Sequence, residues 1–110
     1  MRNFKKYDTW IDAMGIVDKF PKNERYALSS QISRAAVSIP SNIAEGAGRN
    51  SEKDFARFLE FSLGSAYELE TQLIIAEKRK YIKQCESGII LEELISLQKR
   101  ISGLRNSMVK

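Results

Sequence analysis

Apolar residues recur in steps of three and four along almost the whole chain, and no run alternates with period two. The first such segment carries Phe4, Tyr7, Ile11, Met14 and Val17, with Trp10 beside the stripe. It ends near Phe20-Pro21, because the residue before a proline is pushed out of helical geometry. Asn23 then serves as an N-cap for a second helix that begins at Glu24. That helix carries Leu28, Ile32, Ala35, Ile39 and Asn42, widened by Ala36, Ile43 and Ala47, with Val37 and Ala44 on its other side. Apolar residues on more than one side predict a largely buried helix. The third segment opens with Ser51 and Asp54, which are spaced as an N-terminal cap. Phe55, Leu59, Ser62, Ala66, Leu69, Leu73 and Ala76 follow in alternating steps of four and three, a heptad pattern. A helix from residue 52 to about 81 is on the order of 45 Å long. Residues 85–88 break the pattern. A fourth stripe then runs through Ile90, Leu94, Leu97, Ile101, Leu104 and Met108. Four amphipathic helices with short connections predict an all-α, antiparallel up-and-down four-helix bundle.

The stretch "SIPSNIAEGAGR" at residues 38–49 interrupts the second helix with a proline and closes with two glycines. Ile39 and Ile43 stay in phase with Leu28, Ile32 and Ala36 across that proline. The pattern therefore predicts one helix bent at Pro40. The ring removes an amide donor and crowds the Ala36 carbonyl, so packing and the Ser38 or Ser41 hydroxyl must compensate. Gly46 and Gly48 are expected to form the exit turn. A phosphate loop would place its glycines after a strand and a lysine behind them, and neither is present. A nucleophile elbow lacks both its pattern and a histidine. Arg34, Ser38, Ser41 and Glu45 repeat along one polar seam. On the third helix, Glu70 and Glu77 project near the apolar stripe and Glu68 lies towards the back. A structural network with Arg34 bonded to one of these carboxylates is the expected arrangement, since a part-buried guanidinium needs such a partner. A ligand or catalytic pocket at the same residues is the alternative.

Composition narrows the chemistry. The 110 residues suffice for one domain over residues 1–110, and 43% apolar with 29% charged content marks a globular chain. No apolar run approaches the roughly 20 residues of a membrane span, and the start "MRNFKKYDTW" has no signal-peptide core. A cytoplasmic protein is expected, and the single Cys85 fits a reducing compartment. The absence of histidine removes His-based catalysis, and with one cysteine it leaves no ordinary zinc site. No catalytic residue, cofactor or metal is expected.

Two surface features remain. Leu63, Tyr67 and Ile74 line a face of the third helix next to its core stripe, and Phe61, Gly64 and Ile75 lie on its back. This exceeds what one core needs and predicts association between subunits. Net charge is +4 with pI near 9.3, which favours an anionic partner. Candidate phosphate contacts are Arg49, Lys53, Arg57, Lys78, Arg79, Lys80 and Lys83, with Tyr81 as a stacking surface. Cations at a helix C-terminus also complement the helix dipole, which accounts for much of the 78–80 run without any partner.

The blocks "QISRAAVSIPSNIAEGAGR" and "FLEFSLGSAYELETQL", with the aromatic start "YDTW", resemble a bacterial four-helix-bundle family encoded within intervening sequences of 23S ribosomal RNA genes. The resemblance spans most of the chain, with little from the last helix. It implies an up-and-down bundle that assembles into a homopentamer, and kinship with nucleic-acid-binding accessory proteins of retroelement reverse transcriptases. It supplies no catalytic residues. Arg34, Ser38, Pro40, Asn42, Glu45, Gly46, Glu68 and Glu70 fall on its signature and are expected to determine fold and assembly. The leading expectation is a non-enzymatic oligomer that binds RNA or an RNA-handling protein. The alternative is a structural or protein-binding scaffold that binds no nucleic acid.

Overall fold

The structure, a computed structural model, describes residues 25–109. Helix α1 spans Ser30–Ala47 and is entered directly from a π-helical turn at Arg25–Ser29, α2 spans Glu52–Lys78, and α3 spans Gln84–Met108. No strand occurs among the described residues. The predicted stripe from Phe4 to Val17, the stop at Phe20-Pro21 and the Asn23 cap ahead of Glu24 lie outside them. Among the described residues the fold is all-α with three α-helices.

The connections at residues 48–51 and 79–83 are short, so consecutive helices run antiparallel. Paired positions confirm it. Gly46 of α1 meets Phe55 and Phe58 of α2, Ile39 meets Ser62, and Ser38 meets Ser65. Between α2 and α3, Glu77 meets Ser87, Ala66 meets Gln98, and Glu60 meets Arg105. Both outer helices pack on α2. Its Leu59, Leu69 and Leu73, together with Ile32 of α1 and Leu94 of α3, are fully buried. Each such side chain contributes roughly 1.5–3 kcal/mol when removed from water.

Local chemistry explains the helix ends. Ser51 is extended and accepts the Asp54 N–H at 3.1 Å, the cap expected from the sequence. The other end of α2 falls at Lys78, three residues short of the expected 81. There the Tyr81 N–H donates to the Ala76 carbonyl at 3.0 Å and the Lys80 N–H to Glu77 at 2.9 Å. Lys80 takes the left-handed conformation at φ 64°, completing a Schellman stop. The expected break at residues 85–88 is instead the opening of α3. The Glu86 carboxylate accepts the Lys83 N–H at 3.3 Å. Ser87 is fully buried and donates to Glu77 at 2.9 Å, so a polar residue occupies a core position and hides the stripe.

Helix α1 runs unbroken through a buried Pro40. Of its two glycines, Gly48 takes the expected place at the exit turn and Gly46 does not. Gly48 is the C-cap with φ −86°, a conformation open to any residue. Gly46 is helical and buried, and a Cβ there would lie 2.7 Å from Phe58 Cβ and 2.9 Å from Phe55 Cδ1. Gly46 is therefore a requirement of close helix approach. Nor is α1 buried all round, because Val37 and Ala44 are exposed on the side turned away from α2.

Gly46→Ala is expected to destabilise the protein by about 1–3 kcal/mol through overpacking, while Gly48→Ala changes stability by less than about 0.5 kcal/mol, both read from urea unfolding. Lys80→Gly removes left-handed strain and should raise stability by up to about 1 kcal/mol in the same measurement.

Candidate nucleic-acid interface

Of the polar seam of α1, Ser38 turns towards α2, while Arg34, Ser41 and Glu45 are exposed. The Ser38 and Ser65 hydroxyls are 2.8 Å apart, and Asn42 Nδ2 donates to both the Ser38 carbonyl at 2.8 Å and its hydroxyl at 2.9 Å. Ser62, fully buried on α2, donates to the Ile39 carbonyl at 2.8 Å, immediately before Pro40. Ser38 thus bonds across to α2 rather than capping the backbone freed by the proline, and Ser41 is exposed. On the opposite flank, Gln98 Nε2 of α3 donates to Glu70 at 2.8 Å.

Arg34 does not take the expected partner. It is exposed, and it forms no ion pair with Glu68 or Glu70. Water solvates the guanidinium, so no carboxylate is required there. Arg34 and the exposed Glu68 instead stand with Ser38 and Ser65 along a groove of about 250 Å³ between α1 and α2. Among the signature residues, Pro40 and Gly46 are buried, Ser38, Asn42 and Glu70 are half-buried, and Glu45 is exposed.

The seven candidate phosphate contacts separate into two groups. Near the start of α2, Arg49 pairs with Glu45 at 2.7 Å and lies over the Phe58 ring at 4.7 Å. Arg57 lies 5.4 Å from the Phe58 ring centroid and 5.9 Å from that of Phe61. The two rings meet edge to face at 5.6 Å. Lys53 is exposed on the first turn, between Glu52 and Asp54. At the far end stand Lys78, Arg79, Lys80 and Lys83, all exposed. Lys78, Lys80 and Lys83 form no ion pair with a described residue. At 1.5 Å per residue, Arg57 and Lys78 are about 30 Å apart along α2, so the seven candidates form two separate groups and not one continuous stripe. Tyr81 is half-buried against the core, which limits the stacking surface expected of it.

Several residues of this region escape a pattern search. Ser62 and Ser65 are polar within or beside an apolar stripe, and Gln31 falls in the first signature block with no role assigned to it. Only the heptad position of Ser62 marks it as inward-facing. Among the described residues, no cluster of carboxylates and cysteine is placed to hold a metal, and no helix is long and apolar enough to cross a membrane.

The geometry defines an all-α, antiparallel helical protein with a polar inter-helix groove and cationic ends. The chain belongs to the family of 23S rRNA-intervening sequence proteins, which it matches over residues 5–103. It is also similar to the crystal structure of a Bacteroides thetaiotaomicron protein of unknown function from the S23 ribosomal protein family. Identity is 28% and the TM-score 0.77, covering 91% of this chain and 97% of that one. No functionally curated protein matches the sequence.

Ser62→Ala is expected to cost about 1 kcal/mol by removing the bond to Ile39, whereas Arg34→Ala stays within about 0.5 kcal/mol, both measured by thermal unfolding. A large loss from Arg34→Ala would restore the ion-pair network.

Proposed function

We propose that the protein is a non-enzymatic oligomer that binds RNA through phosphate contacts at the C-terminal end of α2. In this reading the stripe at residues 4–17 supplies the fourth helix of an up-and-down bundle, with α1 bent at Pro40. The carrying observation is the set Lys78, Lys80 and Lys83, exposed within six residues and unpaired by any described carboxylate. A partner's phosphates would meet them without first displacing a protein ion pair. The Arg49 group is a weaker phosphate site, since Glu45 already neutralises Arg49. The net charge of +4 supports the same reading, as does the family's link to ribosomal RNA genes. The lack of histidine supports a binding role over a catalytic one.

One observation favours the scaffold reading as a second possibility. Phe61 and Tyr67 are 49% and 52% exposed on α2, and Gly64 between them has open space above it. A second copy of the chain would cover this surface, and the pentamer implied by the resemblance would repeat each basic end around a ring.

Replacing Lys78, Lys80 and Lys83 together by Ala should weaken binding to RNA and flatten the dependence of log K on log salt by about 2 for a single strand. Fluorescence anisotropy over a salt series measures both. Binding absent at low salt in the parent protein, or a slope unchanged in the variant, defeats the RNA reading and leaves the scaffold.

A further inference from the structure

Beside the cationic end of α2 lies a cleft of about 200 Å³, lined by Ala27, Leu28, Gln31, Ile75 and Arg79. We propose that this cleft seats an unstacked base of a single-stranded nucleic acid, a proposal that rests on the reading of Lys78, Lys80 and Lys83 as phosphate contacts. The shape of the wall comes from helix geometry. Ile75 lies on α2, and Arg79 is the C-cap one turn later, its N–H donating to the Ile75 carbonyl at 3.0 Å; both side chains line the cleft. Ala27 and Leu28 form the facing wall, and Gln31 follows one turn later. Ile75 is 40% exposed, so an apolar surface is held open to solvent beside Arg79, with Lys78 one turn further along α2.

A nucleobase matches this mixture. Its faces are apolar and fit against Ala27, Leu28 and Ile75, and its polar edge meets the Gln31 amide, which both donates and accepts. Arg79 forms part of the cleft wall, and the phosphate beside the seated base meets the lysines at the end of α2. In a duplex, the base faces are stacked on one another and the deep groove is closed to side chains, so the cleft selects single strands. Gln31 also lines the neighbouring groove that holds Arg34, Ser38, Ser65 and Glu68. That groove extends the track along α1 and α2, with Arg34 as donor and Glu68 as acceptor for the edge of an adjacent base. Charge decides against a second copy of the chain as occupant. A protein of net charge +4 would bring more positive charge to an already cationic rim, whereas a polyanion is drawn to it.

The test uses the full chain and a short fluorescein-labelled single-stranded RNA of mixed sequence, alone and as a duplex with its complement. Anisotropy is measured for the parent, Ile75→Ala and Gln31→Ala. Both substituted residues are exposed, and circular dichroism checks the fold of each variant. The parent is expected to bind the single strand more tightly than the duplex. Ile75→Ala should lose about 5-fold or more in single-strand affinity, with an unchanged salt slope and unchanged duplex binding. Gln31→Ala should lose affinity for the single strand alone. Equal binding of single strand and duplex, untouched by either variant, overturns the cleft while leaving the phosphate reading intact. No binding to either probe at low salt removes both. A sedimentation shift in Ile75→Ala with RNA affinity unchanged assigns the cleft to a subunit contact and also overturns the proposal.

Discussion

The contact between α1 and α2 is the constraint on which the rest of the structure depends. It must accommodate a proline within a helix, bring two backbones close, and bury hydroxyl groups without leaving them unbonded. Each demand is met by a particular residue. Gly46 leaves the space occupied by Phe55 and Phe58, where a Cβ would lie at 2.7 Å and 2.9 Å from their atoms. Ser62 donates to the Ile39 carbonyl beside Pro40. Ser38, Ser65 and Asn42 satisfy one another at the edge of the contact. A proline costs roughly 3 kcal/mol in an exposed helix interior. Here it is buried, so packing against α2 offsets a defect that would break an isolated helix. Since α3 also packs on α2, the placement of α1 and α3 depends on this one central helix.

Periodicity made the helices legible and sterics hid their details. The stripe through Phe55, Leu59, Leu69 and Leu73 identifies α2 because heptad spacing and burial have the same geometric origin. The start of α3 was illegible because Ser87 fills a core position with a polar side chain and bonds to Glu77, a partner ten residues away. The end of α2 was misplaced because Lys80, a good helix former, takes a left-handed conformation usually given to glycine. Gly46 looked like a turn residue, yet its role is set by two rings on another helix, which no local pattern encodes. Arg34 shows the reverse error. Its heptad neighbours suggested burial, and the expected ion pair followed from that assumption, whereas the side chain is solvated.

Placing the basic residues needs the same distinction between sequence density and spatial arrangement. Arg49 and Arg57 are engaged locally, by Glu45 and by the Phe58 and Phe61 rings. Their charge stabilises the turn between α1 and α2 and is partly spent there. The opposite end differs because Lys78, Lys80 and Lys83 form no ion pair with a described residue. Lys78 sits in the last turn of α2, where a positive charge opposes the negative pole of the helix, worth a few tenths of a kcal/mol. That stabilisation needs no direct carboxylate contact, so the ammonium group remains available to solvent.

The cationic end therefore has a structural cause and an unused capacity at once, and composition alone cannot separate the two. What separates them is the surface next to the charge. A dipole-complementing cluster requires only lysines on the last turn. It does not require the apolar wall of Ile75 held open beside them, nor the Leu28 and Gln31 side chains facing it across a cleft. Exposing Ile75 forgoes the burial energy that a leucine-sized group contributes elsewhere on α2. The proposed seat for a nucleobase rests on that pairing of an apolar wall with an amide beside a cationic helix end, not on the density of charge alone.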